Sequence, residues 1–321
     1  MSGYDIIGDI HGNGAKLTAL LKSLDYHLDA GGSHRHPEGR TAVFAGDLID
    51  RGEEHREVLD TVKAMVDAGS ALIVMGNHEF NAVCYATAHP DLEGLHLREH
   101  NQKNEEQHES FLRAFPDDER VEWIEWFKGL PLWLDLDGVR VVHACWHQES
   151  IDLLANVLGG NTLRNLGQWV EASDKDTKIG QAIEIILKNP EIEVTVYGLP
   201  KFFTGKTLRS EARVRWWAPE VNSIADLIDM PEGTKQENGE PYPSILDTPF
   251  RGDETSFAYL GAEPVVYGHH WRSWGPKEHL DWTPKTACVD FSAGKDGPLV
   301  AYRWSGESII DPANYVHAFA P

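Results

Sequence analysis

Three short runs near the start of this chain carry residues suited to holding metal ions. They are Gly8-Asp9-Ile10-His11-Gly12, Gly46-Asp47-Leu48-Ile49-Asp50-Arg51-Gly52 and Gly76-Asn77-His78-Glu79. Each follows an apolar run that reads as a strand. Two later runs, Val141-Val142-His143-Ala144 and Val265-Val266-Tyr267-Gly268-His269, repeat the arrangement. Imidazole, carboxylate and amide oxygen suit manganese, iron or zinc, and the lack of thiolates argues against a soft or structural zinc site. Asp9 and His11 stand two apart along an extended run, so their side chains point the same way and could hold one ion. A carboxylate such as Asp47 can bridge two. This order of ligands suggests metal-assisted hydrolysis of a phosphate ester.

The elements that must position these residues alternate in the first third. Tyr4–Gly8 reads as a strand, and Leu17, Leu20, Leu21 and Leu24 give Gly14–Asp25 helical spacing. Thr41–Ala45 and Ala71–Met75 read as strands, Glu53–Asp67 as a helix, and the stretch from Glu79 to Ala86 as another. Such alternation predicts right-handed crossovers and a sheet covered by helices. Open α/β sheets build sites at the carboxyl ends of strands, where all three motifs fall. Two amphipathic helices are expected between His89 and Lys128. Pro131–Leu136 and Val139–His143 are expected as strands joined by a turn at Asp137-Gly138, and Ile151–Leu158 and Lys178–Lys188 as helices. The pattern weakens from about Pro190 to Thr255, where Pro and Gly are frequent. Three more strands are expected at Pro264–Gly268, Thr286–Phe291 and Leu299–Trp304, the last two as a closing hairpin. The whole reads as a single domain over 1–321, with a helical insertion at about 90–130 and a cap or insertion at about 155–255.

The ordered set Gly-Asp-Ile-His-Gly, Gly-Asp-Leu-Ile-Asp-Arg-Gly, Gly-Asn-His-Glu, a lone His after a strand and a final Gly-His resembles the calcineurin-like metallophosphoesterases. The second and third motifs resemble the phosphoprotein-phosphatase branch, the serine/threonine phosphatases, in a bacterial-like form. The likeness covers roughly Ile6–His269 and says nothing of about Asp91–Lys128 or Leu153–Thr255. It implies an α/β (α+β) fold: a four-layer αββα sandwich of two packed mixed β-sheets flanked by helices. It also implies two divalent transition-metal ions, manganese first, with iron or zinc as alternatives. Asp9 and His11 would hold the first ion, Asp47 would bridge both, and Asn77, His143 and His269 would complete the second. His78 would be the proton donor, Asp50 its carboxylate partner, and Arg51 a phosphate ligand.

Physical chemistry agrees with those implied roles. Two cations sharing a hydroxide bring its pKa into the neutral range and neutralise charge on the phosphoryl oxygens. A histidine held by a carboxylate can protonate a leaving alkoxide near neutral pH. An arginine offers a planar fork to two phosphate oxygens. A second clamp is sought in Arg213-Val214-Arg215-Trp216-Trp217. If this run is extended, Arg213, Arg215 and Trp217 share one face. Arg215 is preferred, Arg213 stays open, and Arg251 is a third choice.

The expected function is hydrolysis of phosphomonoesters, including protein phosphoserine or phosphothreonine, by direct in-line attack of a metal-bridging hydroxide. A dinucleoside polyphosphate or another nucleotide is the rival substrate. The tryptophans near the ligands (Trp146, Trp271 and Trp274) could serve a nucleobase or simply pack. A non-catalytic metal-binding scaffold is a third reading, opposed by the intact ligand set and His78. The partner is a phosphorylated small molecule or a phosphoprotein. The formal net charge of −22 repels polyanions, so extended nucleic acid is not expected. No window has the apolar length of a membrane span, and no secretory leader is visible, so no membrane partner and a cytoplasmic location are expected. The three cysteines, Cys84, Cys145 and Cys288, read as reduced buried thiols. His270 is set aside in favour of His269. His147 is expected at the surface, and His34, His36, His89, His96, His100 and His108 sit in polar sequence and are expected to be solvated.

Overall fold

The computed structural model describes residues 3–320 apart from 205–206, 219, 231–232, 246–247, 249–256 and 277–280. Contacts divide the chain into two compact units, one of Met1–Lys188 with Ala262–Pro321 and one of Asn189–Gly261. The first unit is built on two five-stranded mixed sheets. In one, Tyr4–Ile7 runs parallel to Thr41–Phe44, which runs parallel to Ala71–Ile73. Leu299–Trp304 pairs antiparallel with the other edge of Tyr4–Ile7 and carries Tyr315–Ala318 beyond it. In the other sheet, Val265–Tyr267 lies parallel to both Val139–Val142 and Thr286–Cys288. Trp133–Leu136 forms a hairpin with Val139–Val142, and Trp282–Thr283 closes the far edge.

The inner faces of the two sheets make one core. Ile6, Val43 and Val74 come from the first sheet and its loops, and Val139, Val141, Val266 and Ala287 from the second, all fully buried. Alternation along each strand sends the intervening residues to the outer faces. Helices cover those faces because their apolar residues recur on one side. Helix α1 (Gly14–Ser23) buries Leu17, Leu20 and Leu21, and α2 (His55–Asp67) buries Val58, Leu59, Val62 and Met65. Helix α3 (Asn77–Ala86) is buried along nearly its whole length. Helices α4 (Gln102–Ala114) and α5 (Asp117–Lys128) fill the region expected to be helical. They are followed by α6 (Gln148–Leu158), α7 (Leu166–Ser173) and α8 (Lys178–Lys188).

One expectation fails. Thr286–Cys288 and Leu299–Trp304 do not form a hairpin; they belong to different sheets. The chain between them crosses from one sheet to the other.

The second unit holds a small antiparallel sheet of Glu191–Glu193, Glu211–Val214 and Ile228–Asp229, and a separate hairpin of Phe202–Thr204 with Thr207–Arg209. Its core gathers Val194, Phe202, Val214, Ile224 and Leu227. Among the described residues no helix is long and apolar enough to cross a membrane. All three cysteines are buried and free. Burial raises the pKa of Cys84 to about 12 and that of Cys288 further, which keeps both protonated and unreactive.

Candidate metal centre

Strands of both sheets end at one place, and the motif loops there are bound to each other. The backbone N–H groups of Ile10 and His11 both donate to the Asp47 carbonyl (3.0 and 2.9 Å), and Gly52 N–H donates back to the His11 carbonyl (3.0 Å). In the second sheet the parallel register pairs Tyr267 with Val142. This brings Gly268 beside His143, and the Gly268 N–H donates to the His143 carbonyl at 2.8 Å. A Cβ on Gly268 would lie 2.1 Å from Asp9 Oδ1, so the Gly before His269 admits that carboxylate. Backbone strain collects here. Of nine non-glycine residues with positive φ among the described residues, seven (His11, Asp47, Asp50, Arg51, His269, Trp271 and Ser292) lie in these loops. Such conformations persist only where surrounding structure enforces them, and they favour functional sites.

Asp47 is the hub. Its Oδ2 lies 3.6 Å from His11 Nε2 and 3.8 Å from His78 Nε2, and its Oδ1 lies 3.4 Å from His143 Nε2. His143 Nε2 is also 3.0 Å from Asn77 Oδ1. Two triads of ligand atoms within 4.8 Å result: His11, Asp47 and His78, and Asp47, His143 and His269. Asp9 lies outside both triads and joins the centre through the His269 backbone N–H, which donates to its carboxylate at 3.1–3.2 Å.

These residues suit cations. His11 donates from Nδ1 to the Ile49 carbonyl (2.8 Å), so its Nε2 carries the lone pair. His143 donates from Nδ1 to the Ala45 carbonyl (2.8 Å); burial opposes a charge on it, but Asp47 outweighs burial and raises its pKa to about 10, and a cation at Nε2 would take the place of that proton. The buried His11 Nε2 makes no hydrogen bond. Burial, helped by the neighbouring His78, lowers the His11 pKa to about 3, so its imidazole is neutral. Burial also lifts the Asp9 carboxyl well above its usual range, with Asp290 adding to the effect. That is the signature of a buried carboxylate short of positive charge.

Glu79 arranges the hub without facing it. Its Oε2 accepts from the N–H groups of Asp47 (2.9 Å) and Gly76 (3.0 Å), and its Oε1 accepts from those of Leu48 (2.8 Å) and Ile49 (3.3 Å). Burial, followed by the Asp47 charge, raises its pKa to about 7.

His78 and Asp50 form the expected pair: His78 Nδ1 donates to Asp50 Oδ2 at 2.5 Å. Sequence reasoning missed two further histidines. His108, from α4, is buried and donates from Nδ1 to the same Asp50 Oδ2 at 2.9 Å. His55, at the start of α2, accepts the Asp50 backbone N–H on Nε2 at 2.9 Å. Burial opposes ionisation of Asp50, but the hydrogen bonds from His108 and His78 outweigh it and hold the carboxyl far below its usual range. Burial likewise opposes a charge on His78, but Asp47 and Asp50 outweigh it and raise its pKa.

The expectation of a solvated His108 is therefore corrected. Asn104, His108 and Phe111 make the buried face of α4, and that spacing was the available signal. His36 and His147 are also buried, the first against Arg303 (2.9 Å) and the second against Ser150 (2.8 Å). Trp146 is buried, whereas Trp271 and Trp274 are partly exposed.

Arg51 sits beside the centre, its guanidinium 4.3 Å from the centroid of the Trp271 ring. Arg213 and Arg215 belong to the second unit. The strand ends at Val214 and the chain turns, so the expected alternation stops there: Val214, Trp216 and Trp217 are all buried. Arg213 stands opposite Glu191 and Asp229 in register, and Arg215 Nε lies 3.8 Å from Asp229 Oδ1. Arg251 lies outside the described residues.

Known proteins resemble parts of this chain. The asymmetrical bis(5'-nucleosyl)-tetraphosphatase PrpE of Geobacillus thermodenitrificans is 38% identical over 144 residues, 44% of this chain and 55% of that protein. The enzyme of the same name from Bacillus subtilis is 47% identical over 75 residues, 23% of this chain and 30% of that one. A symmetrical bis(5'-nucleosyl)-tetraphosphatase of Marinomonas is 26% identical over 156 residues, 47% of this chain and 48% of that one. The chain spans about half the length of the curated relatives it matches. Among solved structures, a serine/threonine phosphatase of Saccharomyces cerevisiae aligns with a TM-score of 0.41 at 14% identity, covering 99% of this chain and 79% of the other. The profile described as calcineurin-like phosphoesterase matches residues 4–213, the stretch that carries all the candidate ligands except His269. This chain belongs to the calcineurin-like phosphoesterase family.

Proposed function

We propose that this protein hydrolyses phosphomonoesters at the centre formed by Asp9, His11, Asp47, Asn77, His143 and His269, with His78 protonating the leaving group. The observation that carries this reading is the 2.5 Å contact of His78 Nδ1 with Asp50, beside a hub carboxylate with imidazoles on both oxygens. Two divalent ions held by those six residues would supply Lewis acidity toward the phosphoryl oxygens and toward the attacking water. Manganese suits the mixed nitrogen and oxygen donors, and iron or zinc would fit them too.

The protein's own residues do the rest. Asp50 fixes the His78 tautomer, with the proton on Nδ1 facing the carboxylate. The Nε2 side is then left to meet the departing oxygen. Burial opposes a charge on His78, but Asp47 and Asp50 outweigh it and raise its pKa, which favours the protonated donor. Arg51 binds and orients phosphoryl oxygens through its fork.

A second substrate, a dinucleoside polyphosphate, is favoured by one observation. The curated relatives with part of which this chain aligns are named as bis(5'-nucleosyl)-tetraphosphatases. Rates on a phosphopeptide, a mononucleotide, a dinucleoside tetraphosphate and a phosphodiester separate the readings. The proposal expects hydrolysis of one or more of the first three and the slowest rate on the diester. Preference for the diester would overturn it.

A further inference from the structure

Trp271 stands two residues past His269, and its backbone N–H donates to Asp290 Oδ2 at 2.9 Å with φ at +47°. The indole is thereby held at the centre, yet the residue remains 46% exposed. Two cations from distant parts of the chain lie over its ring. The Arg51 guanidinium carbon is 4.3 Å and the Lys295 ammonium 4.1 Å from the ring centroid. The ring attracts both, but it cannot cancel the repulsion between them. Neither has a carboxylate partner among the described residues, in a chain with 51 acidic residues against 29 basic ones.

Lys295 is placed there by construction. Lys16 donates from Nζ to the carbonyls of Ala293 (2.7 Å), Lys295 (2.9 Å) and Gly297 (2.9 Å), which pins the loop onto α1. Gly294 then presses so closely on the centre that a Cβ there would lie 2.8 Å from Arg51 Cδ and 2.9 Å from His11 Cδ2. Positive charge therefore extends outward from beside the neutral His11, through Arg51, to Lys295 on an exposed ring. One phosphoryl group at the centre leaves Lys295 unused, whereas a phosphate chain continuing outward would meet it.

We infer that Arg51, Trp271 and Lys295 form a second anion subsite, which takes the phosphoryl group next to the scissile one in a polyphosphate ester. This rests on the hydrolytic reading of the centre and names the substrate class. Kinetics of the manganese-loaded full chain test it, with free metal buffered because polyphosphates chelate it. Lys295→Ala should raise KM for diadenosine tetraphosphate about tenfold more than KM for p-nitrophenyl phosphate, the loss of one charge-assisted contact. Lys295→Arg should restore most of that discrimination. Calorimetric titration with tripolyphosphate should weaken by a similar factor in Lys295→Ala, and titration with orthophosphate by less.

Equal KM changes on the two substrates would overturn the subsite. So would a larger change on an acidic phosphopeptide, which would assign Lys295 to a peptide flank. If the wild type hydrolyses none of these compounds, the hydrolytic reading fails. The tripolyphosphate titration still decides the subsite in that case, and unchanged binding by Lys295→Ala would refute it.

Discussion

Asp50 makes contacts that its sequence motif does not announce. Two imidazoles converge on one of its oxygens, and a third accepts its backbone N–H. A carboxylate so held is restrained against turning away from His78, and that would fix the aim of the proposed donor. His78→Asn is expected to slow hydrolysis of an alkyl phosphate by about 10²–10⁴-fold and that of p-nitrophenyl phosphate far less, because the nitrophenolate departs without a proton. Equal losses on the two would contradict proton donation. His108→Leu should remove part of the same effect, about tenfold in kcat for the alkyl ester. His108→Asn, which keeps an N–H donor close to the Nδ1 position, should recover most of it. In an Asp50→Asn background His108→Leu should add little, since both act through one carboxylate. At this scale the sequence was legible where motif and chemistry coincide: the six proposed ligands, His78, Asp50 and Arg51 all lie in short runs after strands. His108 was not legible as a partner of Asp50, because the surrounding composition is polar and the contact spans 58 positions. Glu79 was visible in its motif, but its grip on four backbone N–H groups emerges only once the loops converge.

Elements bring these residues together through register. The parallel pairing of Val265–Tyr267 with Val139–Val142 sets His269 beside His143, and Gly268 leaves room for Asp9. Gly268→Ala should therefore fold but bind metal about 10–100-fold more weakly, measured by competition with a coloured chelator. Unchanged affinity would show that Asp9 is not held where the geometry needs it. The strands themselves were legible from apolar runs and turn residues. Their partners were not, as the mistaken hairpin shows. Two strand-like runs around Ser292–Gly297 carry a hairpin's local signature, and pairing across sheets is invisible locally. That crossing segment carries Gly294 and Lys295 to the centre. Helix α8 offers a test away from the site. Burial raises the Glu184 pKa, but Lys188 and Lys175 outweigh it and leave it lowered. A depressed carboxyl stabilises the fold above its unfolded pKa, and this contribution is lost as pH falls through the folded value. Glu184→Gln should thus melt below the wild type at neutral pH, and the difference should shrink as pH falls below the usual glutamate range.

At the scale of the molecule, a net charge of −22 surrounds a centre that gathers buried carboxylates. Such a centre is stable only when positive charge compensates it, which is why bound cations should matter to folding as well as to turnover. The sandwich was legible because five motifs in order identify a family, and composition alone would have given only an α/β class. The insertions were not. The helical one around α4 and α5 proves to supply a partner for Asp50, a role that no motif encodes. The most direct test of the account is titration of manganese into chelator-stripped protein while phosphomonoester hydrolysis is followed. The account predicts negligible turnover without metal and a rise that levels off at about two equivalents per chain. It also predicts no recovery in Asp47→Asn, since Asp47 belongs to both candidate ligand groups and either ion would depend on it. Stripped protein as active as the metal-loaded enzyme would contradict it.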